Sequence, residues 1–110
     1  MARRHLTDFE LMILLAILRS EDDAYGVPVA REIERIAGRS TLFSAIYTAL
    51  DRLEENGLVT SFYGDPTPER GGRAKRFFNV TSKGLKAVKD TNRSFTGLSI
   101  RIPELKEGTA

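Results

Sequence analysis

The chain has no cysteine and no tryptophan, and one histidine, His5, among 110 residues. Without cysteine there are no disulfides, thiolate metal sites or thiol nucleophiles. A single histidine near one end leaves little for metal binding or for acid–base chemistry at neutral pH. There is no Ser-His-Asp set, P-loop or dinucleotide fingerprint, and Gly71-Gly72 precedes neither a helix nor a Lys-Ser/Thr pair. We therefore expect no enzyme, no cofactor and no metal. Long apolar runs are missing too. The longest, Leu11 to Leu18, has eight residues, against the ~20 that a spanning helix needs. Arg3 and Arg4 precede that run, but so do Asp8 and Glu10, and Glu21-Asp22-Asp23 follows it without a small-residue cleavage site. The expectation is a soluble cytoplasmic protein with no membrane partner.

What is present suits one modest core. A chain of 12.3 kDa fits a single domain, and 41% apolar with 29% charged residues is a globular balance. The net charge of +2 is unevenly spread. Residues 1–59 carry seven basic and ten acidic groups, whereas residues 60–93 carry eight basic and three acidic ones. A basic segment on a nearly neutral domain suits a polyanion, and equally a solvated lysine face.

No internal repeat is visible. Thr7 or Asp8 can cap a first helix running to about Arg19, with acidic residues in its first turn. Its apolar residues, among them Leu11, Leu14, Leu15 and Leu18, surround the axis, so one core cannot cover them all and a second subunit is expected. Residues 20–24 form a polar break. A second helix fits Tyr25 to Ala37, with Val29, Ile33 and Ile36 on one face and Gly38 as terminator. After a turn containing Ser40 and Thr41, a third helix reaches Glu55 on an Ile46, Leu50, Leu53 stripe, and Asn56-Gly57 ends it. Leu58 to Tyr63 and Arg73 to Val80 read as strands around the Gly- and Pro-rich stretch 64–72. Thr81 or Ser82 then caps a last helix over 82–98 with a Leu85, Val88, Phe95, Leu98 stripe, and 103–110 reads as a frayed tail.

The predicted fold is α+β, mostly α: a winged helix-turn-helix over residues 6–81, followed by one further helix. The helix to about Glu55 would enter a major groove with Ser44, Ala45, Tyr47, Thr48, Asp51, Arg52 and Glu55 outward. Hydroxyls there can bond phosphates or base edges, and the Ala45 methyl can meet a thymine methyl. An ordinary solvated face is the plainer alternative, since Asp51 and Glu55 repel phosphate. Arg70, Arg73, Lys75 and Arg76 flank the hairpin glycines, where guanidinium forks suit phosphate or a narrow minor groove. The bland reading there is an edge hairpin kept soluble by charge.

Leu6 to Leu18, Tyr25-Gly26, Ile46 to Val59, Gly71 to Lys75 and Phe77 to Gly84 together resemble the PadR family of bacterial winged-helix repressors. The resemblance spans about residues 6 to 90. It implies a nucleoid-associated homodimer on pseudo-palindromic double-stranded DNA, joined through the first and last helices by Leu11, Leu14, Leu15, Leu18, Leu85, Val88 and Phe95. Tyr25 joins the expected DNA-facing set, and Tyr47 carries over as a backbone-contacting residue. One departure is Ala45, where the family usually has threonine, so contacts assigned to that hydroxyl do not transfer. Some members hold aromatic effectors at the dimer interface with tryptophan. This chain has none, and Phe9, Met12 and Phe95 are left to line such a pore or simply to pack. The alternative function is a winged-helix module that binds protein, which acidic Asp51, Glu54 and Glu55 would favour.

Overall fold

The computed structural model describes residues 5–64 and 74–106. Its elements are α1 (Asp8–Ser20), α2 (Gly26–Ala37), α3 (Phe43–Glu55), β1 (Val59–Tyr63), β2 (Arg76–Val80) and α4 (Ser82–Ser99), with short 3-10 turns at Glu21–Asp23 and Pro103–Leu105. The strands pair antiparallel with Val59 opposite Val80 and Tyr63 opposite Arg76. This is the expected helix-turn-helix with a two-stranded wing, and α2 leads into α3 through Gly38 in the left-handed region (φ 67°).

Thr7 starts α1. Its hydroxyl accepts from the Glu10 N–H at 3.1 Å, and the Glu10 carboxylate accepts from the Thr7 N–H at 2.8 Å. This reciprocal capping box satisfies donors that helical bonding leaves over. Ile13, Leu14, Ala16 and Ile17 are buried, Leu11, Met12 and Leu15 are half-buried, and Leu18 is exposed. Leu14 therefore departs from its expected place at a subunit interface. With α2, α3, α4 and β2 all packed on α1, it is wholly enclosed in the chain's own core. Arg19 ties α1 to α2 by donating to Glu32 at 2.8 Å, and Arg35 donates to the same carboxylate at 3.0 Å.

In α2, Val29 and Ile33 are buried as expected, but Ile36 is exposed. It borders an open apolar groove of roughly 300 Å³ between α1 and α2, shared with Met12, Leu15 and Ile33. The Ile46, Leu50, Leu53 stripe of α3 is fully buried. The strands begin later than expected, at Val59 and Arg76.

The face that α4 buries is the largest departure. It consists of Gly84, Ala87, Val88 and Thr91, spaced i, i+3, i+4, i+7, while Leu85, Phe95 and Leu98 are exposed. Small residues let the helix approach closely: a Cβ on Gly84 would collide with the Leu58 carbonyl oxygen. Thr91 is fully buried, and its hydroxyl accepts from the Leu6 N–H at 3.3 Å. Val88, expected at a subunit interface, thus packs inside its own chain, and its cause is the same as for Leu14. The expected tail segment 103–106 forms the 3-10 turn at Pro103–Leu105, and 107–110 lie outside the described residues.

Candidate nucleic-acid interface

The stripe that seats α3 in the core leaves its other side to solvent. Ser44, Ala45, Thr48, Asp51, Arg52 and Glu55 are all exposed, and none contributes to Ile46, Leu50 or Leu53. Ser44, Ala45, Thr48, Ala49 and Arg52 border an open hollow of roughly 360 Å³ whose other wall is Phe9 of α1. The Arg39 guanidinium lies 4.8 Å from the Phe9 ring centre and reaches Asp8 at 3.5 Å. The exposed surface therefore joins α3 to the first turn of α1, which sequence spacing gives no means of seeing. Leu42 and Phe43, both exposed at the start of α3, also escape a reading that follows the buried stripe.

Tyr47 is half-buried, and its ring and hydroxyl lie against Gly26. No Cβ fits there, because it would overlap the phenol. That contact gives the Tyr25-Gly26 pair a physical reason: glycine lets the start of α2 close onto α3. Tyr25 caps α2 and pairs with Phe77 of β2 through an isolated bridge. Its ring meets Phe77 edge-on at 5.5 Å, Phe77 stacks on Phe62 at 5.4 Å, and the Lys75 ammonium lies 4.5 Å from the Tyr25 ring centre. Tyr25 and Lys75 thus come together at the junction of α2 and the wing, while Ser44, Ala45, Thr48 and Arg52 gather on α3. Arg70 and Arg73 lie outside the described residues.

Arg76 is the correction within the site. Expected to hold phosphate, it is instead engaged by α3. One guanidinium nitrogen donates to Asp51 at 2.9 Å and the other to Glu54 at 2.7 Å, and its side chain is only 22% exposed. Burial works against its charge, but the two carboxylates outweigh that and raise its pKa above the ordinary arginine value. The Ser61 hydroxyl donates to Glu54 at 2.8 Å. Ser61 first, with Arg76 adding to it, holds the Glu54 carboxyl below the usual range despite its desolvation. Two of the three acidic groups on this side of α3 are therefore neutralised from within the chain.

Further apolar surface lies on α1, α4 and the wing, where Phe62 and Tyr63 of β1 are exposed. Leu18, Leu85, Phe95 and Leu98 are exposed, as are Ile100, Ile102 and Leu105 beyond the helix. Phe9, Met12 and Phe95 occupy three different surfaces of one chain: the α3 hollow, the α1–α2 groove and the exposed end of α4. Among the described residues no group of three or more His, Cys, Asp or Glu could hold a metal ion, and no helix is long and apolar enough to cross a membrane.

Residues 14–90 match the family described as transcriptional regulator PadR-like. No curated protein matches the sequence. A PadR-like transcriptional regulator from Bacillus cereus is similar in structure, with a TM-score of 0.69 at 21% identity, covering 92% of this chain and 93% of that one. A transcriptional regulator from Clostridium thermocellum gives 0.66 at 24% identity over 81% of each chain. The hsRosR-S1 complex gives 0.69 at 26% identity, over 90% of this chain and 80% of that one. The overall fold is thus similar to that of these solved structures, and the match over 14–90 establishes that the chain belongs to the PadR-like family of transcriptional regulators.

Proposed function

We propose that the protein is a sequence-specific DNA-binding repressor that acts as a homodimer on a pseudo-palindromic operator. The observation that carries this reading is the outer face of α3, where Ser44, Ala45, Thr48 and Arg52 are exposed and take no part in the core. Such a helix can enter a major groove about 12 Å wide while its packing stays intact. Tyr25, Tyr47 and Lys75 would meet the sugar-phosphate backbone beside it, and the sequence adds Arg70 and Arg73 to this set.

The dimer would form through apolar residues that the chain leaves exposed or half-covered: Leu18 with half-buried Leu11 and Leu15 on α1, and Leu85 and Phe95 on α4. Apolar patches beyond a few hundred Å² are uncommon on soluble monomers. A two-fold pair of recognition helices calls for two half-sites about one helical turn apart. The protein-binding alternative loses its main support, since Arg76 already neutralises Asp51 and Glu54. Selection of bound sites from random duplexes tests the proposal. Enrichment of an inverted repeat supports it, and recovery of an unenriched pool refutes it. Transcription from a promoter carrying the repeat should fall on adding the protein, and a rise would make it an activator.

A further inference from the structure

Arg76 stands at the start of β2, where the wing leaves the domain, and both ends of its guanidinium are occupied by α3. Asp51 and Glu54 are three residues apart and so share a helical face. The guanidinium plane is also braced from below, its carbon 4.9 Å from the centre of the buried Phe78 ring. β1 joins in through Ser61 on Glu54. Both strands of the wing are thereby tied to a single turn of the helix that would read the DNA.

Such a fork serves a phosphate poorly. Its charge is already shared by two carboxylates through bonds of 2.7 and 2.9 Å, its side chain is only 22% exposed, and a phosphate would have to approach past Asp51 and Glu54. Asp51 itself is more than half exposed on the groove-facing side, where an uncompensated carboxylate opposes a polyanion. We propose that Arg76 is a positioning residue for operator recognition: it sets the wing against α3 and screens Asp51 and Glu54 from the DNA, without itself contacting a phosphate. This rests on the DNA-binding reading above.

The test compares wild type with Arg76→Lys, Arg76→Ala and Asp51→Asn, each titrated with operator and with a scrambled duplex over a range of salt. If Arg76 held a phosphate, its removal from both subunits would flatten the salt dependence by about 2 in slope. Lysine would then substitute well, because a point charge suffices for phosphate. Its compact ammonium lacks the planar fork and the reach of a guanidinium, so it holds the two carboxylates less well. The expected result is an unchanged salt slope in all three variants, with the preference for operator over scrambled DNA reduced about tenfold, lysine included. Asp51→Asn separates the readings by sign. As mere removal of negative charge it would strengthen binding to both duplexes equally, whereas here it must lower the preference. A slope flattened by about 2 in Arg76→Ala, with full preference in Arg76→Lys, overturns the proposal. So does an undiminished preference in every variant. If Arg76→Ala fails to fold, Arg76→Lys and Asp51→Asn still decide. Wild type that binds no duplex removes the functional reading and this proposal together, while wild-type preference retained by all variants removes the proposal alone.

Discussion

The helices α3 and α4 differ in what they leave outside. On α3 the Ile46, Leu50 and Leu53 stripe is buried, and past the exposed Phe43 at its start the outer face carries hydroxyls, a methyl and charges. On α4 the buried residues are Gly84, Ala87, Val88 and Thr91, and Leu85, Phe95 and Leu98 are exposed beside Lys83, Lys86, Lys89 and Arg93. A polar face can be solvated between encounters, so α3 suits a partner that comes and goes. An apolar face is costly to leave in water, so α4 suits a partner that stays. The proposed division is DNA for the first and a second copy of the chain for the second.

The largest expected effect comes from spoiling the apolar face. Phe95→Glu, on a residue 61% exposed in the single chain, should leave folding nearly intact, within ~0.5 kcal/mol. It should convert a species of about twice 12.3 kDa into one of 12.3 kDa by sedimentation. Operator binding should fall with it, since each half-site would be bound separately. A variant that keeps the wild-type mass would place the dimer elsewhere.

Next comes the seat of α3. Gly26→Ala forces a Cβ into the Tyr47 phenol and should cost about 1–3 kcal/mol by overpacking. Gly97→Ala in α4 meets nothing within 4 Å and should gain about 0.5–1 kcal/mol from helix propensity. Denaturant midpoints for the two variants should therefore move in opposite directions. Matching shifts would mean that α2 and α3 do not close as described.

Charge offers smaller effects. Arg73→Ala should weaken binding to all sequences alike. With about four phosphate contacts per subunit, log K should fall with log salt at a slope of about −7, and the substitution should flatten it by about 2. An unchanged slope would mean that Arg73 is solvated charge only. In acid, the Arg35 and then Arg19 guanidinium groups hold the Glu32 carboxyl at about 2, and Ser61 and Arg76 hold Glu54 below its ordinary value. Carboxylates depressed in the folded state add stability that is complete above the unfolded value, about 4.3, and vanishes as pH falls through the folded one. Melting temperature should accordingly hold down to about pH 5 and decline from about 4.5 toward 2. A flat profile to pH 2 would deny both ion-pair groups a stabilising role.

The contrast between α3 and α4 also marks what the sequence discloses. The α3 stripe is legible because Ile46, Leu50 and Leu53 are large, apolar and regularly spaced, and of the two expected caps, Thr7 and Asp8, the structure selects Thr7. The buried face of α4 is not, because Gly84, Ala87 and Thr91 carry it and their value lies in close approach rather than hydrophobicity. The same distinction hides the contact between Gly26 and Tyr47. For Arg76, residue type announces a cation, but its partners lie 22 and 25 residues away. Only the folded register of the wing against α3 shows that this charge is engaged inside the chain.

The central claim is that the outer face of α3 reads sequence. It is tested most directly by titrating Thr48→Ala and Arg52→Ala against operator and scrambled duplexes at one fixed salt. The account predicts a loss of about 1–3 kcal/mol on the operator and almost none on scrambled DNA. Equal displacement of both curves in both variants would contradict it, and specificity would then have to reside in the wing or in the shape of the DNA.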